Sequence, residues 1–94
     1  MTPRRKTIFK VGDPVRLRSE INGHKTILTH LRKNPVDESS TEFWKPHSDS
    51  LCGNLSSGEI AWIVTIGPKG WYKVLTNQSL GWILLDKIEL AENI

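Results

Sequence analysis

A chain of 94 residues with 37% hydrophobic content has room for one small core and no second domain, and such a core cannot wall a deep, multi-step catalytic cleft. Its formal net charge is +3 with an isoelectric point near 9.2, and its single cysteine, Cys52, excludes an internal disulfide framework and agrees with a reducing compartment. No apolar run approaches the roughly 18 residues that span a bilayer, and the basic opening MTPRRKTIFK has no apolar stretch behind it, so the chain is expected to be cytoplasmic or peripheral to a membrane complex.

The charge is unevenly distributed. Residues 1–33 carry nine bases, Arg4, Arg5, Lys6, Lys10, Arg16, Arg18, Lys25, Arg32 and Lys33, against Asp13 and Glu20, a balance of +7; residues 34–94 carry four bases against eight acids, a balance of −4. A basic first third raises the encounter rate with acidic proteins, nucleic acid or anionic lipid without choosing among them.

In chain order, residues 1–10 read as a basic arm in which Ile8-Phe9 could pack onto the domain as a short strand or staple. Gly12-Asp13-Pro14 marks a turn, after which Val15 and Leu17 alternate with Arg16 and Arg18 in the period-two pattern of a half-buried strand. Asn22-Gly23 is a strong two-residue turn signal. The stretch from Lys25 to Leu31 is open to a strand or one helical turn, the strand being preferred. From 33 to 58 the pattern dissolves: six of eight serines lie here with Pro35, Pro46 and Gly53, predicting one long loop of a length that is usually functional. Within it, Phe43-Trp44 either folds back to plug the core or stands ready to touch a partner.

The last 36 residues are clearer. Ile60–Ile66 is apolar on both faces, as a central strand is. Gly67-Pro68-Lys69-Gly70 turns into a strand from Trp71 to Leu75, and Thr76-Asn77-Gln78-Ser79 turns into one from Leu80 to Leu84. A tight turn at Leu85-Asp86-Lys87 leads to a last strand, Ile88–Leu90. Trp62 and Trp82 read as core or half-core residues. About five short antiparallel strands with no convincing helix predict an all-β fold of the small-barrel kind.

GEIAWIV (58–64), GWYKVL (70–75) and LGWILLDKIEL (80–90) resemble the second half of a Src-homology-3-like domain of the bacterial type, and VRLRS (15–19) resembles its first strand. Gly58-Glu59, Trp71, Gly81-Trp82-Ile83, the turn at 85–87 and Ile88 stand at the family's characteristic places in order. The resemblance implies a small barrel over residues 11–94 and puts Trp71 at the edge of a binding surface. Leu84 and Lys87 stand where the family's proline-rich-peptide binders carry proline and tyrosine, and no tyrosine pair follows the first strand, which argues against that ligand. VGDPVRLR (11–18) is also similar to the first strand of small basic subunits of photosynthetic electron-transfer complexes, barrels that dock an acidic partner.

Catalytic and metal signatures are missing. His24, His30, His47 and Cys52 lack the tight ligand pairs of zinc sites, and Cys52 with His47 lacks an oxyanion site. No enzyme activity, metal or cofactor is expected. The reading is a non-catalytic interaction module or small complex subunit: Arg4, Arg5, Lys6, Arg16, Arg18, Arg32 and Lys33 steer an acidic protein partner, and Trp71 with Phe43 and Trp44 anchors it. The alternative is a nucleic-acid-binding barrel that stacks bases on its aromatics, opposed by the acids at 37, 38, 42 and 49 around the aromatic loop.

Overall fold

The computed structural model describes residues 9–91. The chain forms β1 (Pro14–Leu17), a two-stranded ribbon of β2 (Glu20–Ile21) and β3 (His24–Lys25), β4 (Leu28–Arg32), a one-turn helix α1 (Thr41–Trp44), β5 (Leu51–Ser56), β6 (Ile60–Ile66), β7 (Trp71–Leu75), β8 (Leu80–Leu84) and β9 (Ile88–Leu90). Single 3-10 turns stand at Ser48–Ser50 and Leu85–Lys87. Seven strands make one antiparallel sheet in the order β5-β4-β8-β7-β6-β1-β9. The fold is small, compact and all-β. The ladder is not closed into a barrel; β5 and β9 are its edges.

The turns supply the connections the strands need. Asn22 and Gly23 both take positive φ, 54° and 81°, the pairing that a tight hairpin demands and that asparagine and glycine tolerate best. Between β6 and β7, the Gly67 N–H donates to the Trp71 carbonyl at 2.9 Å. The β7–β8 turn is organised by Thr76, whose Oγ1 accepts from the N–H groups of Gln78 and Ser79 at 3.1 and 2.9 Å. Between β5 and β6, the Glu59 carboxylate accepts from the Ser56 N–H at 3.0 Å, which gives the Gly58-Glu59 pair a local role.

Alternation decides what is inside. Val15 and Leu17 of β1, Ala61 and Ile63 of β6, Tyr72 and Val74 of β7, Ile83 of β8 and Ile88 of β9 close over Phe9, Leu31 and Leu55. Phe9 is fully buried, its ring edge-on to Tyr72 at 5.3 Å and its N–H donating to the Tyr72 hydroxyl at 3.4 Å. It is the staple that the sequence allowed; Ile8 lies outside the described residues.

Three expectations change. The stretch 33–58 is not one loop, because its last part is β5, an edge strand paired with β4 from Leu28↔Ser56 to Arg32↔Leu51. Only Leu55 of that strand is buried, so the residues on its open side stay polar or small and the sequence shows no sustained period. Trp62 is not in the core: Ala61 and Ile63 take the inward positions and leave Trp62 on the outer face, 44% exposed. The strand count rises above about five because the β2-β3 ribbon and the β4-β5 hairpin stand between β1 and β6.

Gly81 permits the second hairpin to join the sheet. A Cβ on residue 81 would stand 2.6 Å from the Cys52 sulfur, 2.8 Å from Leu31 Cβ and 3.1 Å from the Arg32 carbonyl. β4 therefore crosses β8 at a distance that a side chain there would forbid. Gly81→Val is expected to lower stability by about 1–3 kcal/mol through overpacking, measured by urea denaturation, with greater exposure of Cys52 to a thiol reagent; a variant as stable as the parent would show that the junction is not tight.

Candidate functional site

Residues 33–50 form a strap that leaves β4, crosses the outer face of the sheet and returns as β5. None of its side chains is fully buried, so an apolar core of its own does not hold it down. Ser40 starts α1 in extended conformation, and its hydroxyl accepts from the Glu42 N–H at 3.2 Å, the helix-start role that serine favours. Asp37 stabilises the preceding turn by accepting from both the N–H and the hydroxyl of Ser39 at 2.9 Å. The Trp44 indole donates to the Glu38 carbonyl at 3.0 Å and closes the strap on itself.

Two residues of the sheet fasten it. The Trp71 indole donates to the Val36 carbonyl at 3.1 Å. The Arg32 guanidinium donates to the carbonyls of Glu42 and Phe43, at 3.2 and 2.8 Å, at the end of α1, where helix carbonyls lack internal partners. The same guanidinium carbon lies 5.3 Å from the Phe43 ring centre and 5.8 Å from that of Trp71, within cation-π range of both. Partial burial lowers the Arg32 pKa from its ordinary value, with the Glu42 carboxylate acting in the opposite sense. Lys69 and Asp37 add an exposed ion pair at 3.4 Å, a type of contact worth little by itself.

The rings form a connected series. Phe43 stands edge-on to Trp44 at 4.8 Å and to Trp71 at 6.4 Å. Beside them lies a groove of about 330 Å³ between the strap, the β4-β5 hairpin and the 3-10 turn before β9; Trp44, Trp71 and Trp82 line it with Pro46 and Leu84, and Arg32, His30 and Lys87 supply its charged and titratable groups. Asp and Glu side chains do not line it. His30 donates from Nδ1 to Asn54 Oδ1 at 2.7 Å.

The expected aromatic residues are thus brought together, in different roles from those the sequence suggested. Trp71 is 4% exposed and serves as the floor, whereas Trp44 is 72% exposed and stands as the free ring. Phe43-Trp44 does not plug the core. The expected cations do not converge. Arg32 is at the site, braced against carbonyls and rings. Lys33 is exposed and does not line the groove. Arg16, on β1, pairs with Glu89 at 2.8 Å, and Arg18, just past the end of that strand, donates to the Ile88 carbonyl at 3.2 Å, with β6, β7 and β8 between β1 and β4 in the sheet order. Arg4, Arg5 and Lys6 lie outside the described residues. Sequence reasoning read Trp82 as core or half-core, and it is half-buried; the outward alternation Leu80, Trp82, Leu84 along β8 was available to place it at the groove, with Lys87 following on the turn.

Among the described residues no three His, Cys, Asp or Glu side chains gather closely enough to hold a metal ion, and no helix is long and apolar enough to cross a membrane. Cys52 is exposed, its thiol donating to the Leu80 carbonyl at 3.2 Å. No known family, curated protein or solved structure matches the chain.

Asp37 makes the strap sensitive to acid. Its carboxyl is held below the ordinary carboxylate pKa, first by the hydrogen bonds from Ser39 and then by Lys69. Ionised Asp37 therefore favours the folded strap at neutral pH, and that contribution fades as the pH falls from about 4 through its lowered value. Tryptophan fluorescence of the native protein is expected to change over that acid range before the core melts, and Asp37→Asn to remove the change; an identical acid profile in the variant would exclude Asp37 as its source. Arg32→Ala is expected to speed amide hydrogen exchange in residues 36–45 by about fivefold or more through loss of charge-assisted bonds to the strap, with little change at Val74 and Ile83.

Proposed function

We propose that the chain is a non-catalytic docking module of Src-homology-3-like type that takes an acidic protein partner in the groove beneath its strap. The observation that carries this reading is the composition of the groove: an exposed tryptophan beside two others, with Arg32 and Lys87 at hand and no carboxylate in the lining. Tryptophan and arginine in a partly desolvated pocket are the residue types that dominate interface energies, and a cationic rim selects acidic partners while raising their encounter rate. The titratable groups of the groove are cations and one imidazole tied to Asn54, a set suited to attracting carboxylates. The Src-homology-3-like reading draws support from the strand order β9-β1-β6-β7-β8, with Trp71 opening β7 and a 3-10 turn leading into β9.

Trp44 is the residue to test because its exposure lets it be replaced without opening the core. The tagged protein, isolated from its own cells at low and moderate salt with and without nuclease, is expected to retain a stoichiometric acidic protein whose recovery falls with salt. Trp44→Ala should weaken that complex by about 2 kcal/mol or more in calorimetry, and Lys87→Glu should flatten its salt dependence. Undiminished affinity in Trp44→Ala would remove the groove from the interface, and recovery lost to nuclease would place nucleic-acid binding first.

A further inference from the structure

The side chains that leave β7 and β8 on the outer side stand in ranked pairs. Trp71 is opposite Leu84, Lys73 opposite Trp82 and Leu75 opposite Leu80, while the residues between them, Tyr72, Val74, Gly81 and Ile83, are buried. The last pair continues onto β6, where Trp62 is in register with Leu75. Trp62, Leu75 and Leu80 are 44%, 44% and 46% exposed. An apolar row thus crosses three strands on the same face that holds the groove. Large apolar side chains adjacent in register are a contiguous patch rather than scattered exposure, and such patches mark contact sites. Between the row and the groove, the Lys73 ammonium lies 6.0 Å from the Trp82 ring centre and has no carboxylate partner among the described residues. Gly67 makes room for that ring: a Cβ there would stand 2.4 Å from it.

We propose that this face is one continuous track for an extended segment of a partner protein, acidic where it enters the groove and aliphatic or aromatic where it lies on Trp62, Leu75 and Leu80. The inference rests on the docking reading above and adds to it a second contact site and a polarity. Charge complementarity sets the direction: Arg32 and Lys87 line the groove, Lys73 stands between it and the row, and Trp62, Leu75 and Leu80 at the other end are uncharged. Residues 84 and 80 are separated by four steps of β8, about 13 Å, so the acidic and apolar side chains of an extended segment should stand about four residues apart. A nucleic-acid strand of that length would need cations along all of it, which the apolar row does not offer.

The test is selection from a random peptide display library on the immobilised full chain, with inserts of about 12 residues, long enough to cross the face when extended. The peptides recovered are then titrated into the nitrogen-15-labelled protein while the indole N–H signals are followed. Peptides with an acidic and a large apolar residue about four positions apart are expected, and the Trp62 and Trp82 signals should move together with that of Trp44. Trp62→Ser and, independently, Leu80→Ser should weaken those peptides about fivefold or more and leave a peptide trimmed of its apolar end unaffected. If only the groove indoles move and both variants bind as well as the parent, the track is wrong and the docking reading stands. If no peptide is enriched, or a short oligothymidylate moves the same indoles, the docking reading itself fails and the track with it.

Discussion

The site depends on a side chain that is missing. Residue 81 is glycine, and the space where its Cβ would stand is occupied by Cys52, Leu31 and the Arg32 backbone. That close approach brings the β4-β5 hairpin against β8, and the hairpin carries everything that makes the outer face distinctive. Arg32, in register with Trp82 at the junction, ends β4; the strap begins beyond it and comes back as β5. Were β4 displaced, the guanidinium would lose Trp71 and Phe43, and the strap would lose its principal tie to the sheet.

The division of labour between the faces follows from size and parity. The interior is thin and filled largely by aliphatic residues with Phe9 and Tyr72, leaving little volume for indole rings. Trp62, Trp71 and Trp82 occupy outward positions, and a chain of this size must then cover them, brace them or leave them for a partner. The protein does all three: Trp71 is covered by the strap, Trp82 lies against Gly67 and beneath Lys73, and Trp44 and Trp62 stay open to solvent. The strap is held by polar and cation-π contacts rather than by fully buried side chains, the kind of segment that opens at low free-energy cost, and it lies directly over Trp71.

Much of the framework was legible from local signals. The strands from Ile60 to Leu90, their two connecting turns, the 3-10 turn at 85–87 and the Asn22-Gly23 turn are each marked by period-two alternation or by residues with the required backbone conformations. β5 was not, because an edge strand that buries only Leu55 has no alternation to display. Trp62 was misplaced because β6 is apolar on both faces, so composition could not say which face turned inward. Phe43 and Trp44 stood out as large rings in a polar loop and Trp71 through the resemblance that puts it at the edge of a binding surface, while Arg16 and Arg18 were grouped with Arg32 only because net charge along a chain ignores position in space.

The sequence by itself determined the all-β class and the meander of the second half, since turn chemistry and alternation act over a few residues. Only the tertiary structure decided which tryptophan is floor and which is free, that Arg32 is a brace at the groove whereas Arg16 is paired with Glu89, and that Trp62, Leu75 and Leu80 form a single row. Those outcomes are set by strand order and register, which depend on how separate strands meet across the sheet, and a one-residue slip in any of those meetings would turn every side chain of a strand to the opposite face.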